Sequence, residues 1–238
     1  MPLIPKLEIV VDSLLGVQIA RDSGAQRVEL CSSFVEGGIT PSYGLIALAV
    51  KQNIAVNVLV RPRAGDSVYS SFEVETILED IFAAKRAGAN GVVIGALTSN
   101  LELDLNVMKS LIAAARPLEI TFHRAFDVVA NPLSTLEELM NLGVNRILTS
   151  GQQLTAEMGI PLLKNLVDLA RGRILILPAA GINASNAKKI WQQTGVTELH
   201  FSAFETLEFP ISKIPAGKLE TRTQTSAKKI QAVLESLA

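Results

Sequence analysis

Short runs of alternating apolar and polar residues recur along the chain, and each is followed by a longer stretch with helical periodicity. Four of the runs follow a glycine that suits the left-handed end of a helix, as Gly24 precedes the run 27–30 and Gly88 precedes the run 91–94. Four more runs lie between them, so the glycine-then-strand pattern recurs at every second predicted strand. The eight predicted strands are 7–11, 27–30, 54–60, 91–94, 118–122, 146–148, 174–177 and 198–201.

Helical stretches separate the predicted strands, and capping signals support several of them. Thr40 before Pro41, and Asn131 before Pro132, each place an N-cap residue ahead of a proline at the first helical position. The eight predicted helices lie near 13–22, 41–51, 72–86, 104–115, 133–141, 156–170, 184–193 and 224–237.

Eight strand–helix units in 238 residues favour an α/β fold, a single-domain (β/α)8 TIM-like barrel that spans residues 1–238. The alternative is a doubly wound open sheet. Its central strands would be unbroken apolar runs, and a dinucleotide-binding version would carry a glycine-rich loop that the sequence lacks. The segment 205–222 is long and irregular, so we expect it to cover the barrel mouth or to contact another subunit.

Strand alternation predicts which side chains face the barrel axis. Because Val28 and Leu30 would face the helices, Glu29 and Cys31 should point inward, and the same parity applies to the other strands. Active sites of this fold lie at the carboxyl ends of the strands. The predicted lining comprises Glu8, Glu29, Cys31, Arg61, His123, His200 and Ser202, with Arg63, Arg124, Asp127 and Ser150 at the rim.

The end of the fifth strand carries three ionisable groups within five residues, His123, Arg124 and Asp127. A packed core alone gives no reason to place them there. His123 is therefore the candidate proton carrier, and Glu29 or Asp127 would orient it, which makes these three the candidate catalytic residues.

Three other inward-facing residues could have a purely structural role instead of a functional one. Glu8 could pair with an arginine in the barrel floor, since buried charges are usually paired. His200 could be a core histidine that Glu8 satisfies. Cys31 could be a small apolar core residue rather than a ligand or a nucleophile.

Arg61 and Arg63 flank a proline at the end of the third strand, which predicts a site for a carboxylate or a phosphate. The alternative is that the two guanidinium groups neutralise Glu29 and Asp127. Turns after later strands occupy the usual phosphate-binding position of such barrels and could add backbone N–H groups. The remaining candidate anion-binding residues are Arg124, Ser150, Gly151, Gly181 and Ser202.

The composition of the chain argues against several classes of binding partner and against a membrane location. A net charge of -1 gives no general attraction for nucleic acid or for an anionic membrane. No apolar run is long enough for a membrane span, and the first residues show no signal-peptide pattern. Cys31 is the only cysteine, so an internal disulfide is impossible, which is consistent with a reducing cytoplasm.

Five segments together resemble the copper homeostasis protein CutC family, and the resemblance runs from about residue 7 to residue 203. It implies a cytoplasmic TIM-like barrel that assembles into a homodimer or a higher homo-oligomer, with a loop and helix at 204–238 that vary within the family. It also implies copper handling and possible copper binding. The segments that carry the resemblance are 28–33, 36–42, 61–66, 121–127 and 147–151.

Two chemical hypotheses follow. In the first, the protein binds copper directly through Cys31 with His123 or His200, although Cu(I) prefers several thiolate or thioether ligands and the sequence has one cysteine and no methionine cluster. In the second, the inward arginines, glutamates and histidines carry out acid–base chemistry on a small phosphorylated or carboxylated metabolite. A third hypothesis is a non-catalytic barrel that acts through its oligomer interface.

Overall fold

Eight parallel strands form a ring in the described residues, 4–207 and 222–238, of a computed structural model. Each strand pairs with its neighbours in sequence, β1 pairs with both β2 and β8, and β7 contacts β8 where the ring closes. The predicted (β/α)8 barrel is therefore confirmed, and the open sheet is excluded. The strands are β1 Lys6–Val11, β2 Arg27–Leu30, β3 Ala55–Leu59, β4 Gly91–Ile94, β5 Glu119–Phe122, β6 Arg146–Thr149, β7 Leu175–Pro178 and β8 Glu198–Ser202.

Eight helices alternate with these strands and cover the outside of the ring. Ser70 and Glu73 form a reciprocal capping box at the start of α3, and Asn131 caps α5 just before Pro132, as predicted. The helices are α1 Leu14–Asp22, α2 Tyr43–Ala49, α3 Ser71–Ala87, α4 Leu105–Ala115, α5 Pro132–Asn141, α6 Ile160–Ala170, α7 Ala187–Thr194 and α8 Ala227–Leu237.

The predicted start of the second helix was wrong. Ser42, not Thr40, caps α2, because the Ser42 side chain accepts a hydrogen bond from the backbone N–H of Leu45. The Thr40 side chain instead bonds both backbone groups of Arg61 and so joins the loop after β2 to the end of β3.

Side-chain alternation divides the apolar residues into an outer core and an interior, as the sequence parity predicts. Leu7, Ile9 and Val11 pack outward in the large cluster between strands and helices. Two smaller clusters lie inside the ring. One contains Val10, Cys31, Leu59 and Val93, and the other contains Leu148, Leu177 and Ala179.

The chain continues after β8 into a short antiparallel pair that the sequence did not predict. Strand β9, Phe204–Leu207, pairs with β10, Arg222–Thr225, ahead of α8. Most of the segment 205–222 that was expected to cover the mouth lies outside the described residues. Within the described part of the chain, no helix has the length and apolar character that crossing a membrane requires.

Candidate functional site

Paired charges fill the barrel floor, at the starts of the strands. The guanidinium of Arg27 bonds the carboxylates of Glu8 and Glu198, and Arg146 donates from Nε to Glu198 Oε2 at 2.8 Å and from Nη1 to Glu119 Oε2 at 2.7 Å. All but Glu119 are buried. Because a buried charge without a partner is costly, this network fixes the floor, and it gives Glu8 the arginine partner that the structural alternative required.

Glu8 also braces His200 on the neighbouring strand, with Oε1 at 2.7 Å from Nδ1. Burial alone would raise the pKa of Glu8, but the hydrogen bond from His200 and the charge of Arg27 outweigh it and lower the pKa to about 2. For His200, burial lowers the pKa, but the bond to Glu8 and the charges of Glu29 and Glu8 raise it above its usual value. These contacts favour the protonated form of His200, and an anchored carboxylate holds its imidazole in place.

Glu29 lies one inward position beyond Arg27 on β2 and differs from Glu8 in having no fixed partner. Among the described residues its Oε2 atom is buried without a hydrogen bond, and one of its ligand atoms lies within 4.8 Å of one from Glu8 and one from His200. Burial raises its pKa to about 7, against the charges of His200 and Arg27, which lower it. A carboxyl group with a pKa near 7 can both donate and accept a proton at neutral pH.

His123 directly follows β5 and caps the 3-10 turn Arg124–Val128. Its Nδ1 accepts a hydrogen bond from the backbone N–H of Ala125 at 3.2 Å, which leaves the ring proton on Nε2, and Nε2 is buried without a partner. Burial and the charge of Arg61 lower its pKa to about 4. His123 is therefore a neutral hydrogen-bond donor at pH 7, and its role as the proton carrier stays a prediction.

A cavity of about 680 Å³ opens at the carboxyl ends of the strands. It brings together residues from β2, β3, β5, β7 and β8 or from the loops that follow them, so parity located most of its polar lining. The predicted residues that line it are Glu29, Cys31, Arg61, His123, Arg124, Gly181, His200 and Ser202.

The two arginines at the end of β3 have structural partners. Arg61 donates to the carbonyl oxygens of Gly38 and Gly65, both at 2.7 Å, and so ties the loop after β2 to the loop after β3. Arg63 does not line the cavity: it pairs with Glu73 and with Asp66. Neither arginine forms an ion pair with Glu29 or Asp127 within the described ranges, so that predicted alternative was wrong.

Asp127 does not reach His123. It accepts hydrogen bonds from the backbone N–H of Ser150 at 2.9 Å, from Thr149 Oγ1 at 2.5 Å and from Arg124 Nε at 2.8 Å. The carboxylate therefore fastens the loop after β6 to the turn after β5, and its predicted role in orienting His123 finds no contact in the described residues.

Ser150 and Gly151, two of the predicted anion-binding residues, are buried beside the cavity rather than in its wall. The Ser150 hydroxyl donates to the carbonyl of Gln153 at 2.5 Å, and the Gly151 N–H donates to Thr149 Oγ1 at 2.9 Å. The Ser150 hydroxyl and the Gly151 N–H thus already have partners in the loop, and the Ser150 N–H donates to Asp127, so the part of both residues in binding an anion remains a prediction.

Cys31 packs in the apolar cluster with Val10 and Leu59 and is fully buried. Burial, with a smaller contribution from the Glu29 carboxylate, raises the pKa of its thiol well above the usual range. In residues 4–207 and 222–238, the one group of three possible metal ligands within 4.8 Å of one another is Glu8, Glu29 and His200, which contains no sulfur. These donors do not fit Cu(I), which prefers thiolate and thioether ligands.

Sequence reasoning missed the arginines of the floor. Arg27 and Arg146 each begin a strand, and parity places each on the same face as an inward residue two positions later, Glu29 and Leu148. The same argument that found Glu29 could therefore have found both arginines. The backbone conformation of Ala180 was not predicted: its φ of +80° is the left-handed region, which favours glycine, at a position that lines the cavity.

Comparison with known proteins identifies relatives along most of the chain. A family profile described as the CutC family matches residues 5–205. A CutC family protein of Pasteurella multocida is 50% identical over 198 residues, which cover 83% of this chain and 81% of that protein. The human copper homeostasis protein cutC homolog is 45% identical over 217 residues, 89% of this chain and 79% of that protein.

The fold agrees with a solved structure. A CutC copper homeostasis protein from Streptococcus agalactiae superposes with a TM-score of 0.80 at 34% identity, over 83% of this chain and 98% of that one.

Proposed function

Because the chain belongs to the CutC family, we propose that it takes part in copper homeostasis, the role that the name of its human relative states. We further propose that it does so as an enzyme. In this proposal the barrel mouth carries out acid–base chemistry on a small phosphorylated or carboxylated metabolite, and Cu(I) is not held at Cys31. The cytoplasmic location and the homo-oligomer that the resemblance implies remain predictions.

The observation that carries the proposal is the state of Glu29. A buried carboxyl oxygen without a hydrogen-bond partner costs free energy in a closed protein core. Here the oxygen belongs to a residue that lines a cavity. Its pKa of about 7 suits proton transfer in either direction at neutral pH. A ligand that donates or accepts a hydrogen bond at this oxygen would remove the cost.

The two histidines that line the cavity would support proton transfer and stabilise negative charge. His200, held by Glu8, places a positive charge beside Glu29 and favours its ionised, proton-accepting form. His123 offers its Nε2–H to an oxygen on which negative charge develops, as a neutral imidazole can in a site without bulk water.

The anionic end of the ligand would lie at the rim. The Arg124 side chain is 51% exposed there and uses Nε for Asp127, which leaves further N–H groups for a ligand. The backbone N–H groups of Ala180 and Gly181 have no internal acceptor in the described residues, and both residues line the cavity.

The proposal is tested by metabolite profiling of a deletion strain that carries wild-type protein, Glu29→Gln or Cys31→Ser. An anionic metabolite should accumulate in the deletion strain and in the Glu29→Gln strain, and return to normal with wild-type protein and with Cys31→Ser. Growth in added copper, scored in the same strains, should follow the metabolite. Full complementation by Glu29→Gln together with failure of Cys31→Ser would instead support copper binding at the thiol.

A further inference from the structure

Two apolar walls face each other across the cavity. Val10, Cys31 and Leu59 come from the side of the ring formed by β1 to β3, whereas Leu148 and Ala179 come from β6 and the end of β7. In a ring of eight strands these two sides are opposite. Both walls consist of apolar side chains and a buried thiol, so each wall offers water few hydrogen-bond partners.

The apolar band begins directly beyond the charged floor. Along β6, Leu148 is the next inward residue after Arg146, and along β2, Cys31 is the next after Glu29. On these two strands the inward side chain therefore changes from charged to apolar within one inward position. A ligand that reaches Glu29 from the mouth passes between these walls, with His123 and Ser202 also lining the path.

An aromatic pair extends one wall toward the mouth. Phe204 packs against the cluster of Val10, Cys31 and Leu59, and its ring lies 4.7 Å from the ring of Phe34, centroid to centroid. Phe34 lines the cavity and remains 37% exposed. Covering its ring would be favourable, because burial of apolar surface lowers the free energy. It thus offers an aromatic surface to whatever occupies the mouth.

The rim beyond the band carries two guanidinium groups. Arg61 and Arg124 line the cavity, and Arg124 is paired with Asp127 through Nε at 2.8 Å. The acidic residue Asp66, which also lines the cavity, is paired with Arg63 at 3.2 Å. From floor to mouth the cavity therefore has three zones: a proton-transfer zone, an apolar band and a rim with two arginines.

We propose that the ligand of this cavity is an amphipathic small molecule, with an oxygen-bearing group at Glu29, an apolar ring or chain between the walls and an acidic group at Arg124. The acidic group rests on the proposed function, whereas the apolar part rests on the walls alone. A volume of about 680 Å³ suits a molecule of this kind. An inorganic phosphate or a three-carbon phosphate would leave the apolar band unfilled.

The test uses 8-anilinonaphthalene-1-sulfonate, which combines aromatic rings with a fixed negative charge, in a fluorescence titration of the native protein. The comparison probes are inorganic sulfate, as competitor, and N-phenyl-1-naphthylamine, which has the rings without the charge. One sulfonate should bind per chain, more tightly than either comparison probe. Phe34→Ala should weaken it by about tenfold, and Arg124→Gln by several-fold.

Matched controls identify the binding site. Phe72→Ala removes an aromatic side chain that is 77% exposed on α3, away from the cavity, and Arg86→Gln removes an exposed cation from the last turn of the same helix. Both should bind the sulfonate like wild type. Unchanged thermal melting of each variant would show that changed affinity reflects the site and not the fold.

The outcomes separate this inference from the proposed function. If sulfate competes through Arg124 but binds as tightly as the aromatic sulfonate, the amphipathic ligand is refuted and the anion site stands. If neither probe depends on Arg124 or on Phe34, both proposals fail. If only the uncharged probe and the sulfonate bind, equally and through Phe34, the apolar band is supported and the anionic substrate is refuted.

Discussion

Replacing Glu29 with glutamine should change how the stability of the protein depends on pH. Burial raises the pKa of Glu29 from 4.5 to about 7 in the folded chain, whereas in the unfolded chain the carboxyl is solvated and titrates near 4.5. Glutamine has nearly the shape of the protonated carboxyl and stays neutral at every pH. The variant therefore removes the ionisation and keeps the packing.

The direction of the pH dependence follows from which state binds the proton more tightly. Below pH 4.5 Glu29 is protonated in both the folded and the unfolded state, so its ionisation does not change the free energy of unfolding. Between pH 4.5 and 7 the unfolded chain releases the proton first, so wild-type stability falls as pH rises, and above about pH 7 the loss is complete. A pKa raised from 4.5 to about 7 corresponds to about 3 kcal/mol, at about 1.4 kcal/mol for each pH unit.

The measurement is urea unfolding of wild type, Glu29→Gln and the control Glu75→Gln, which changes an exposed residue of α3, from pH 5 to pH 9. Relative to wild type, Glu29→Gln should gain about 2–3 kcal/mol across this range, and Glu75→Gln should show no comparable trend. A difference between Glu29→Gln and wild type that stays constant with pH would refute the reasoning, since Glu29 would then ionise equally easily in both states.

Four further changes have expected outcomes. Glu8→Gln should lower the free energy of unfolding by about 3 kcal/mol or more in urea at pH 7, because it removes the buried carboxylate that pairs with His200 and leaves Arg27 with Glu198 alone; an effect below about 1 kcal/mol would contradict the network. Ala180→Gly should raise thermal stability by about 0.5–1 kcal/mol by relieving the backbone at φ +80°, and a loss would contradict that strain. Gly95→Ala should cost about 1–3 kcal/mol, since the added methyl would lie 2.5 Å from Cε1 of His123, and its melting curve will show whether the ring can yield. Cys31 should react with iodoacetamide at pH 8 at least about tenfold more slowly than free cysteine, by mass spectrometry, because it is buried and its thiol pKa is raised; rapid alkylation would show an open, reactive thiol.

The barrel was predictable because its determinants are local and periodic. Alternation with period two and helix-ending glycines such as Gly88 and Gly195 depend on residues close in sequence. The inward face of each strand followed from the same parity, and it correctly placed Glu29, His123 and His200 in one cavity.

The hydrogen-bond and ion-pair partners of the site residues were not predictable, because they depend on distances between residues that are far apart in sequence. Parity placed Asp127 and His123 at the same strand end, but the loop after β6 supplies Asp127 with closer donors, Thr149 and Ser150. In the same way, Arg61 was expected to face a carboxylate, and the loop carbonyl oxygens of Gly38 and Gly65 bind it instead.

The division of roles between the two histidines also needed three-dimensional contacts. His123 and His200 are both inward residues in the sequence pattern. Glu8, brought beside His200 by the pairing of β1 with β8, favours the charged form of that imidazole. His123 is buried, with a nearby arginine and a backbone N–H on its Nδ1, so its neutral form is favoured. The sequence raised the pairing of His200 with Glu8 as one alternative, and the strand register confirms it.

The central claim is that Glu29 is a proton-transfer group poised at neutral pH in the barrel mouth. Its most direct test is the carboxyl 13C chemical shift of Glu29 followed by NMR from pH 4 to pH 9, with the resonance assigned by its loss in Glu29→Gln. The account predicts a titration midpoint near pH 7. A midpoint at or below about 4.5, the value of a solvated glutamate, would contradict it.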